Sequence, residues 1–366
     1  MKKYDVAAYI WPSYTGDEPR SRIFWEEGYG EWQTVKKMQP RFEGHTWPRK
    51  PLWGYVNEAD PYVMEMEIEA AAAHGVNVFI YDWYWYDDQP FLEQCLDNGY
   101  LKARNNDKVK FYLMWANHTA NTMWDKRNSD ARIPIWDGAV DRKTFDHIVD
   151  ITIEKYFSHP SYYKIDGKPV YMIFHPQNLV RGLGGVEEAK RALESFREKT
   201  VKAGFAGLEL QVCVKGKGVM EFMLDEKTSV ADFINSGCFD SGSFYQYRDF
   251  TPTNVPYPEL FKNATAAFDE IAGKMNNLTM YPHVSVGWDS NPRYNIFHDD
   301  VCTDNTPENV QKAFEYAKDY VDSHSGLKAP LITVNSWNEW TETSYLQPDD
   351  LYGYGYLEAI KKVFKE

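Results

Sequence analysis

The sequence predicts a single α/β domain, a (β/α)8 TIM barrel with long βα loops, spanning residues 1–366. Eight apolar runs rich in β-branched and aromatic residues alternate with longer amphipathic runs, a pattern typical of a parallel sheet covered by helices. A length of 366 residues suits one large barrel. No Gly-x-Gly-x-x-Gly follows the first run, which argues against the competing architecture, a doubly wound open sheet.

The predicted strands and helices alternate from one end of the chain to the other. We expect strands at residues 6–11, 76–85, 110–116, 169–174, 208–214, 239–245, 283–288 and 331–334. We expect helices at residues 61–74, 144–157, 186–203, 259–272, 307–323 and 354–364. Asp60-Pro61 and Thr306-Pro307 start two of these helices, because proline is favoured at the first helical position. The long stretches 12–60 and 117–143 are predicted to be βα loops that build a site.

The end of the eighth predicted strand is the most informative part of the chain. It opens directly into polar and aromatic residues, namely Asn335, Trp337, Asn338, Glu339, Trp340 and Glu342. Catalytic groups of a barrel lie at the C-terminal ends of its strands. Paired carboxyl groups cleave glycosidic bonds by proton donation and by general-base or nucleophilic assistance. We therefore predict that Glu339 and Glu342 are catalytic, brought to one substrate by a turn after the strand.

Most other predicted strands also end in an aromatic residue beside a hydrogen-bonding one. Rings that cover the apolar faces of sugars, next to groups that bind hydroxyls, are what a carbohydrate cleft needs. The alternative is that these aromatic residues only fill the core, and for Asp289 a structural hydrogen bond is the favoured interpretation. We predict the following substrate-binding residues: Trp11, Tyr81, Asp82, Tyr84, Trp85, Trp115, Asn117, His118, His175, Tyr245, Trp288, Asp289, Arg293, Asn335, Trp337, Asn338 and Trp340.

Charge and motif content exclude several other classes of function. The 40 Lys and Arg residues against 54 Asp and Glu give a net charge of −14, which disfavours nucleic acid and anionic membrane surfaces as partners. A neutral glycan is the partner that fits this charge best, although a local Arg or His can still bind an anionic sugar. No His-x-His or His-Glu-x-x-His is present, so we predict no metal and no other cofactor. The absence of a Gly-x-Ser-x-Gly elbow argues against a serine hydrolase.

Cysteine usage and the first residues bear on the compartment. The four cysteines are scattered, with no Cys-x-x-Cys pair, which predicts free thiols in a reducing compartment. The first predicted strand begins close to Met1, with no charged and apolar leader before it. We therefore expect a cytoplasmic protein, or a periplasmic or exported one if a leader was removed before this numbering begins.

Several separate motifs are spread along nearly the whole chain. They are Gly28-Tyr-Gly-Glu-Trp-Gln-Thr-Val35 with Pro40 to His45 and Pro48-Arg49, Gly75-Val-Asn-Val-Phe79 with Tyr84-Trp85, Trp115-Ala-Asn117, the run 160–170, Gly287-Trp-Asp-Ser-Asn-Pro-Arg293, and Asn335-Ser-Trp-Asn-Glu-Trp-Thr-Glu342 with Tyr345-Leu, Pro348-Asp349 and Tyr352-Gly-Tyr354. Together these motifs resemble the WbsX-type proteins, which are related to the family-99 glycoside hydrolases. The resemblance adds Glu31 and Trp32 to the predicted substrate-binding residues.

The resemblance implies a (β/α)8 barrel that acts on glycans. The family-99 enzymes are endo-acting, retain configuration at α-mannosides, and use the two acids of an Asn-Glu-Trp-x-Glu motif. Carried over, Glu339 is the base that deprotonates the sugar's own 2-hydroxyl, which attacks the anomeric carbon, and Glu342 is the general acid/base. No second acid is evident on another strand to serve as a carboxylate nucleophile.

Two positions depart from the family pattern. Thr343 stands where glycine usually follows the second acid, which is expected to narrow the site or to shift Glu342. His118 stands where the third strand usually ends in Trp-Ala-Asn-Glu, and it is expected to bind an anionic group or a hydroxyl. Both departures affect the substrate and leave the predicted fold unchanged.

Two alternative functions come from different classes. The first is a glycosyltransferase of polysaccharide biosynthesis, because WbsX-type proteins carry that label. Such an enzyme has to hold the diphosphate of a sugar nucleotide, and no convincing Asp-x-Asp lies beside a predicted strand. The second is a non-catalytic glycan-binding barrel, against which the presence of both motif acids argues. The interpretation favoured by the sequence is a glycoside hydrolase.

Overall fold

The computed structural model describes residues 4–16 and 18–365. Eight parallel strands form a closed ring in which each strand pairs with the next and the eighth pairs with the first. The predicted (β/α)8 barrel is thereby confirmed. The strands are β1 (Asp5–Ile10), β2 (Val76–Tyr86), β3 (Lys110–Trp115), β4 (Lys168–Ile173), β5 (Glu209–Cys213), β6 (Ser241–Ser243), β7 (two segments, Thr279–Met280 and His283–Ser285) and β8 (Leu331–Asn335).

The ring closes through the two segments of β7. The first segment pairs with β6, with Ser241 opposite Thr279, and the second pairs with β8, with His283 opposite Thr333. Between the segments, Tyr281 donates its backbone N–H to Gly242, while the carbonyl of Pro282 accepts from Thr333. Proline has no N–H to give to a ladder, so the strand is interrupted where it changes partners.

Helices cover the outside of the barrel. The α-helices are α1 (Trp32–Lys36), α2 (Pro61–His74), α3 (Arg142–Ile151), α4 (Pro176–Leu183), α5 (Val186–Lys202), α6 (Lys217–Met220), α7 (Val230–Phe233), α8 (Tyr257–Ala272), α9 (Pro307–Ser323) and α10 (Gly355–Phe364). Three π-helical turns follow at Cys95–Gly99, Thr152–Phe157 and Ile234–Cys238. Helix α2 starts at Asp60, whose carboxylate accepts from the N–H of Tyr62, and α9 starts at Thr306, so both predicted caps are present.

The connection after β2, for which no helix was predicted, contains the π-helical turn Cys95–Gly99 and the 3-10 turn Tyr100–Lys102. Elsewhere the structure differs from the sequence expectation. The predicted helix 144–157 is α-helical only to Ile151 and continues as a π-helix. Strand β6 is shorter than the predicted run 239–245, because its length is set by the short neighbours with which it pairs.

The barrel interior is partly polar. The hydroxyl of Tyr9 on β1 donates to the carbonyl of Phe244 at 3.1 Å, a contact that crosses the ring to the far side. His283 lies between Thr333 Oγ1 and Ser285 Oγ, each 2.9 Å from a ring nitrogen. Burial lowers the pKa of His283 to about 3, so the imidazole is neutral at physiological pH. These bonds satisfy the polar groups that lie beneath the barrel mouth.

The helices, the cysteines and the long loops each bear on an expectation from the sequence. Across the described part of the chain, no helix is both long enough and apolar enough to cross a bilayer. All four cysteines are free thiols. The βα loops after β1 and β3 are long, and Trp11 at the start of the first and Met123 and Trp124 in the second line the candidate site.

Candidate active site

The C-terminal ends of the strands surround a cavity of about 200 Å³. This volume is below the roughly 300–1,000 Å³ of pockets for drug-sized ligands, so it suits a small group such as a sugar ring. The cavity has a polar side with acids and cations and an apolar side with aromatic rings. Its walls are formed by Trp11, Asp82, Tyr84, Met114, Ala116, His118, Met123, Trp124, Phe174, Lys215, Tyr245, Gln246, Arg248, Asp249, Trp288, Arg293, Glu339 and Glu342.

A short turn after β8 brings the two predicted catalytic acids to one side. Residues Trp340–Glu342 form a 3-10 turn that begins at Glu339. In a 3-10 turn, side chains three residues apart eclipse each other, so Glu339 and Glu342 face the same way. The turn is held between two short antiparallel strands, Asn338–Glu339 and Ser344–Tyr345. A turn at this place was predicted from the sequence, and the structure contains it.

Arg293 joins the two acids. Its Nη1 donates to Glu342 Oε1 at 2.5 Å and its Nη2 donates to Glu339 Oε2 at 3.0 Å. Its Nε donates to Thr341 Oγ1 at 2.8 Å and lies 3.6 Å from Glu31 Oε1. The arginine side chain is only 4% exposed, so these charge-assisted bonds are shielded from water. One buried cation therefore faces three carboxyl groups.

A fourth acid, Asp82, reaches the same cluster through Tyr245. The tyrosine hydroxyl lies 3.1 Å from Asp82 Oδ2 and 3.3 Å from Glu339 Oε1, and its single proton can serve only one of them. Burial raises the pKa of both Asp82 and Glu339 well above the ordinary range, and the charge of Glu342 adds to the effect. Burial also raises the pKa of Glu31. The acids of this cluster therefore hold their protons more tightly than isolated carboxyl groups do.

Two of the acids that line the cavity each have an oxygen with spare hydrogen-bonding capacity. Asp82 Oδ1 and Glu342 Oε2 are buried, and neither has a hydrogen-bond partner among the described residues. A buried carboxylate oxygen without a partner is costly, and such groups are concentrated where a ligand completes the bonding. Both residues line the cavity. These two oxygens are thus positioned to bind hydroxyl groups of a ligand.

A second pair of acids supports the site from behind. Asn338 donates to both oxygens of Glu58, at 3.0 and 2.9 Å, and accepts from the N–H of Trp11 at 2.8 Å. Gln347 donates to Glu58 at 3.0 Å and to Glu67 at 3.2 Å. Burial raises the pKa of Glu58 well above its ordinary value and that of Glu67 to about 7. These contacts tie the strand of the motif to the end of β1 and to α2.

The structure brings about half of the predicted site residues to the cavity. Arg293 and the two glutamates meet the cavity together with the predicted strand-end residues Trp11, Asp82, Tyr84, His118, Tyr245 and Trp288. Glu31 lies directly behind this wall, where its Oε2 accepts from the indole N–H of Trp11 at 2.5 Å. The roles of these residues toward substrate stay predictions.

The other predicted site residues lie outside the cavity wall. Trp32, Tyr81, Trp115, Trp337 and Trp340 pack in the core, and Trp85 faces a separate surface pocket. The remaining polar side chains bond to protein groups instead. Asn117 accepts from the N–H of His175, and the His175 ring caps α4 by accepting from the N–H of Asn178. Asn335 accepts from the Gln246 amide, and Asn338 accepts from the N–H of Trp11. Asp289 Oδ2 lies 2.6 Å from Nε2 of His45, and Asp289 Oδ1 accepts from the N–H of Asn291, which matches the favoured structural interpretation.

Sequence reasoning missed several cavity residues. Lys215 lies two residues beyond β5, Phe174 one residue beyond β4, and Trp124 in the loop after β3. Lys215 did have a sequence signal, because it directly follows the apolar run 208–214 and thus marks a strand end. Trp124 carried no such signal, because a loop residue reaches the cavity only through the fold of the loop. As for metals, the described residues contain no group of three or more His, Cys, Asp or Glu side chains that could hold one.

Comparison with known proteins identifies the family. The model of the family described as "Glycosyltransferase WbsX" matches residues 6–360. The chain belongs to this WbsX family. "Uncharacterized protein WxcX" of Xanthomonas campestris pv. campestris is 24% identical over 355 residues, which covers 94% of this chain and 47% of that protein. The chain therefore spans about half the length of the curated relatives it matches.

Solved structures of glycoside hydrolases share the fold. The GH99 endo-alpha-mannosidase from Bacteroides thetaiotaomicron is 15% identical with a TM-score of 0.56, covering 98% of this chain and 96% of that chain. A "Glycoside hydrolase-like protein" is 14% identical with a TM-score of 0.64, covering 100% of this chain and 94% of that chain. At such low identity the likeness shows a shared barrel and leaves the activity of this WbsX-family chain open to proposal.

The first departure from the WbsX-type pattern, Thr343, has a structural explanation. Its φ is +55°, in the left-handed region where glycine is favoured. The threonine hydroxyl accepts from the indole N–H of Trp47 at 2.9 Å and donates to the carbonyl of Asp289 at 3.1 Å. The residue is absent from the cavity wall. Thr343 therefore anchors the turn and does not narrow the cavity, contrary to one of the expectations.

The second departure, His118, puts a neutral ring in the cavity wall. Burial lowers the pKa of His118 to about 4, and the charges of Lys215 and Arg293 act in the same direction. The ring Nδ1 lies 3.2 Å from the carbonyl of Thr119 and donates to it in the neutral tautomer. Nε2 is then an acceptor. Of the two expectations for His118, the geometry favours binding a hydroxyl over binding an anion.

Proposed function

We propose that this WbsX-family protein is a glycoside hydrolase that cleaves O-glycosidic bonds inside an oligo- or polysaccharide with retention of configuration. The observation that carries the proposal is the meeting of Glu339 and Glu342 at Arg293, in a cavity at the C-terminal ends of the barrel strands. Paired carboxyl groups beside a sugar-sized space are the minimal equipment for glycoside cleavage. A solved GH99 endo-alpha-mannosidase that shares the fold agrees with the proposal, although a shared fold alone carries no activity.

In the proposed first step, Glu339 removes the proton of the sugar's 2-hydroxyl. The oxygen so formed attacks the anomeric carbon, the bond from that carbon to the leaving oxygen breaks, and Glu342 gives its proton to the leaving oxygen. An anhydrosugar and a shortened glycan result. In the second step Glu342 takes a proton from water, the water oxygen opens the anhydro ring at the anomeric carbon, and Glu339 returns the proton to the 2-oxygen.

Arg293 has a defined part in this scheme. Its guanidinium donates to one oxygen of each acid, which fixes their relative position, while Glu342 Oε2 has no hydrogen-bond partner among the described residues. The free oxygen is the one that can reach a leaving group. Arg293 also lowers the pKa of Glu339, against the larger effect of burial, and so favours the ionised form that a base requires.

The second candidate is a transferase that uses a sugar nucleotide, as the family description implies. A diphosphate needs free cationic groups. Three cations line the cavity, but Arg293 is bound to Glu339 and Glu342, and Lys215 Nζ lies 3.0 Å from Asp249. Only Arg248, exposed at the rim, has no carboxylate partner within the described residues. This charge balance favours a hydrolase.

An isotope experiment tests the proposal. Purified protein is incubated with a panel of neutral and acidic oligo- and polysaccharides in H₂¹⁸O, and with nucleotide sugars plus the same glycans as acceptors. Hydrolysis is expected to add one ¹⁸O at each new reducing end, read by mass spectrometry. Glycans lengthened from a nucleotide sugar, with no cleavage, would instead establish the transferase.

A further inference from the structure

One wall of the cavity is not used by the proposed chemistry. It is formed by His118, Phe174, Lys215 and Asp249, at the ends of β3, β4, β5 and in the turn after β6. The Lys215 ammonium lies 3.7 Å from the centre of the Phe174 ring and 5.2 Å from that of Tyr245. Tyr245 in turn contacts Glu339, so this wall is one residue away from the catalytic acids. We call these four residues the selector wall.

Lys215 and Asp249 form a neutral pair with spare bonding capacity. Nζ lies 3.0 Å from Asp249 Oδ2, and the lysine side chain is only 12% exposed. Burial lowers the pKa of Lys215 and is the largest single influence on it, but the charges and hydrogen bonds of Asp249 and Cys213 together raise it above its ordinary value, so the lysine is charged at neutral pH. An ammonium has three N–H donors, and the pair with Asp249 uses one of them. Asp249 Oδ1 has no hydrogen bond to the described residues.

The neighbours of this pair are already satisfied. Gln246, which also lines the cavity, donates to Asn335 at 2.9 Å and accepts from the N–H of Tyr247 at 2.8 Å. His175, close to Lys215, accepts from the N–H of Asn178. On the selector wall, the polar groups with free capacity are thus the donor Lys215, the acceptor Asp249 and the acceptor Nε2 of His118.

The charge of the wall decides what kind of sugar it takes. A cation beside an anion presents no net charge, and His118 is neutral. Across the cavity, Glu339 and Glu342 share the single charge of Arg293, and Asp82 accepts only from the hydroxyl of Tyr245 among the described residues. A carboxylate or sulfate on the bound ring would meet acids on both sides without a free buried cation, and burying an unpaired charge is costly.

We infer that Lys215 and Asp249 bind two adjacent hydroxyls of an uncharged sugar. One hydroxyl accepts from the Lys215 ammonium and the other donates to the Asp249 carboxylate, while a third hydroxyl donates to Nε2 of His118. The inference rests on the proposed function for the identity of the site, and it adds the substrate class. A site built to hydrogen-bond a hydroxyl discriminates strongly against an analogue that lacks it, because its buried polar groups are then unpaired.

The test measures binding, so it does not depend on turnover. Methyl glycosides of neutral hexoses, their single-deoxy analogues and the matching uronates are titrated into wild type, Lys215→Met and Asp249→Asn, with saturation-transfer NMR as the readout. The matched control is Lys217→Met, because Lys217 is exposed and lies outside the cavity. Circular dichroism checks that each variant is folded. If Lys215→Met does not fold, Asp249→Asn still tests the inference.

We expect wild type to bind at least one neutral hexoside and no uronate. Lys215→Met should lose about tenfold or more in affinity, and removing one hydroxyl should cost wild type much more than it costs the variant. Asp249→Asn frees the lysine charge, so it should gain affinity for the matching uronate, and Lys217→Met should behave as wild type.

Three results would overturn the inference. They are tighter binding of a uronate than of its neutral sugar by wild type, equal affinities of wild type and Lys215→Met, and no binding of any neutral hexoside by wild type. Failure of the proposed function has a different signature, in which neutral sugars bind through Lys215 but no glycan is cleaved.

Discussion

Arg293 is the residue on which the electrostatics of the site depends. It is the one cation that contacts Glu31, Glu339 and Glu342 together within the described residues, and it offsets part of the cost of burying them. The sequence placed Arg293 near a strand end but gave no indication of its partners, since Glu31 lies in a distant loop. Pairing across 262 residues of chain is a property of the barrel, not of a motif.

The raised pKa of Glu339 predicts an unusual acidic limb in the pH profile of cleavage. A base must lose its proton to act, so activity should fall on acidification at a pH well above the roughly 4.3 of an ordinary glutamate. Removing a nearby negative charge lowers the pKa of Glu339, because Glu31 is one of the charges that raise it. Glu31→Gln should therefore shift the acidic limb of kcat/KM to lower pH; an unchanged or higher limb would refute the assignment of Glu339 as base.

Thr343 leads to a stability prediction at the same scale. Thr343→Val keeps the size of the side chain but removes the bonds to Trp47 and to the carbonyl of Asp289, which should cost about 1–3 kcal/mol in the free energy of unfolding. Thr343→Ser keeps the hydroxyl and should recover most of that loss. Denaturant unfolding measures both variants. Equal losses for Val and Ser would show that the hydroxyl does not anchor the turn.

At the scale of elements, the helices with local signals were the easiest to predict. Helices α2 and α9 run over the expected residues because Asp60-Pro61 and Thr306-Pro307 specify their starts within the sequence. Strand β6 and the split of β7 depend on which neighbours are available for pairing. Such pairing is decided by the closed ring, so local residue patterns overestimated the length of β6, and for β7 they missed the segment Thr279–Met280 and extended the strand beyond Ser285.

The link between α2 and the motif after β8 is a pH-sensitive element. Burial raises the pKa of Glu67 to about 7, so the folded protein binds more protons than the unfolded chain between pH 4.3 and 7. This contribution to stability is fully present below the unfolded pKa and is lost as pH rises through 7, a total on the order of 3 kcal/mol.

Glu67→Gln removes that titration. The variant should match wild type in stability near pH 4.5, exceed it near pH 8, and show a flatter decline between them in denaturant unfolding. Glu69→Gln, on the exposed side of the same helix, is the matched control and should not flatten the decline. A wild-type slope that persists in Glu67→Gln would show that another group titrates.

At the scale of the whole molecule, the sequence predicted the barrel and the location of the site at its mouth. It also proposed that the residues after β8 would supply the catalytic acids. What it overestimated was the number of tryptophans available to substrate, because Trp337 and Trp340 lie in the core, where their indole N–H groups donate to Glu67 and Gln347. In so aromatic a chain, composition alone does not separate core rings from cleft rings.

The fold positions acids and cations from five different strand ends around one small space, and the membership of the WbsX family agrees with a glycan as substrate. The neutral selector wall and the excess of carboxyl groups around Arg293 both favour an uncharged sugar. They belong to opposite sides of the cavity, so mutations on the two sides should separate binding from cleavage.

The most direct test of the central claim is the initial rate of glycan cleavage by wild type and by the Glu339→Gln/Glu342→Gln double variant. The glycan is the one cleaved in the isotope screen, and Glu226→Gln, an exposed glutamate far from the cavity, is the control. The account predicts a loss of at least about 10³-fold in kcat for the double variant and no change for the control. Cleavage by the double variant at the wild-type rate would contradict the account.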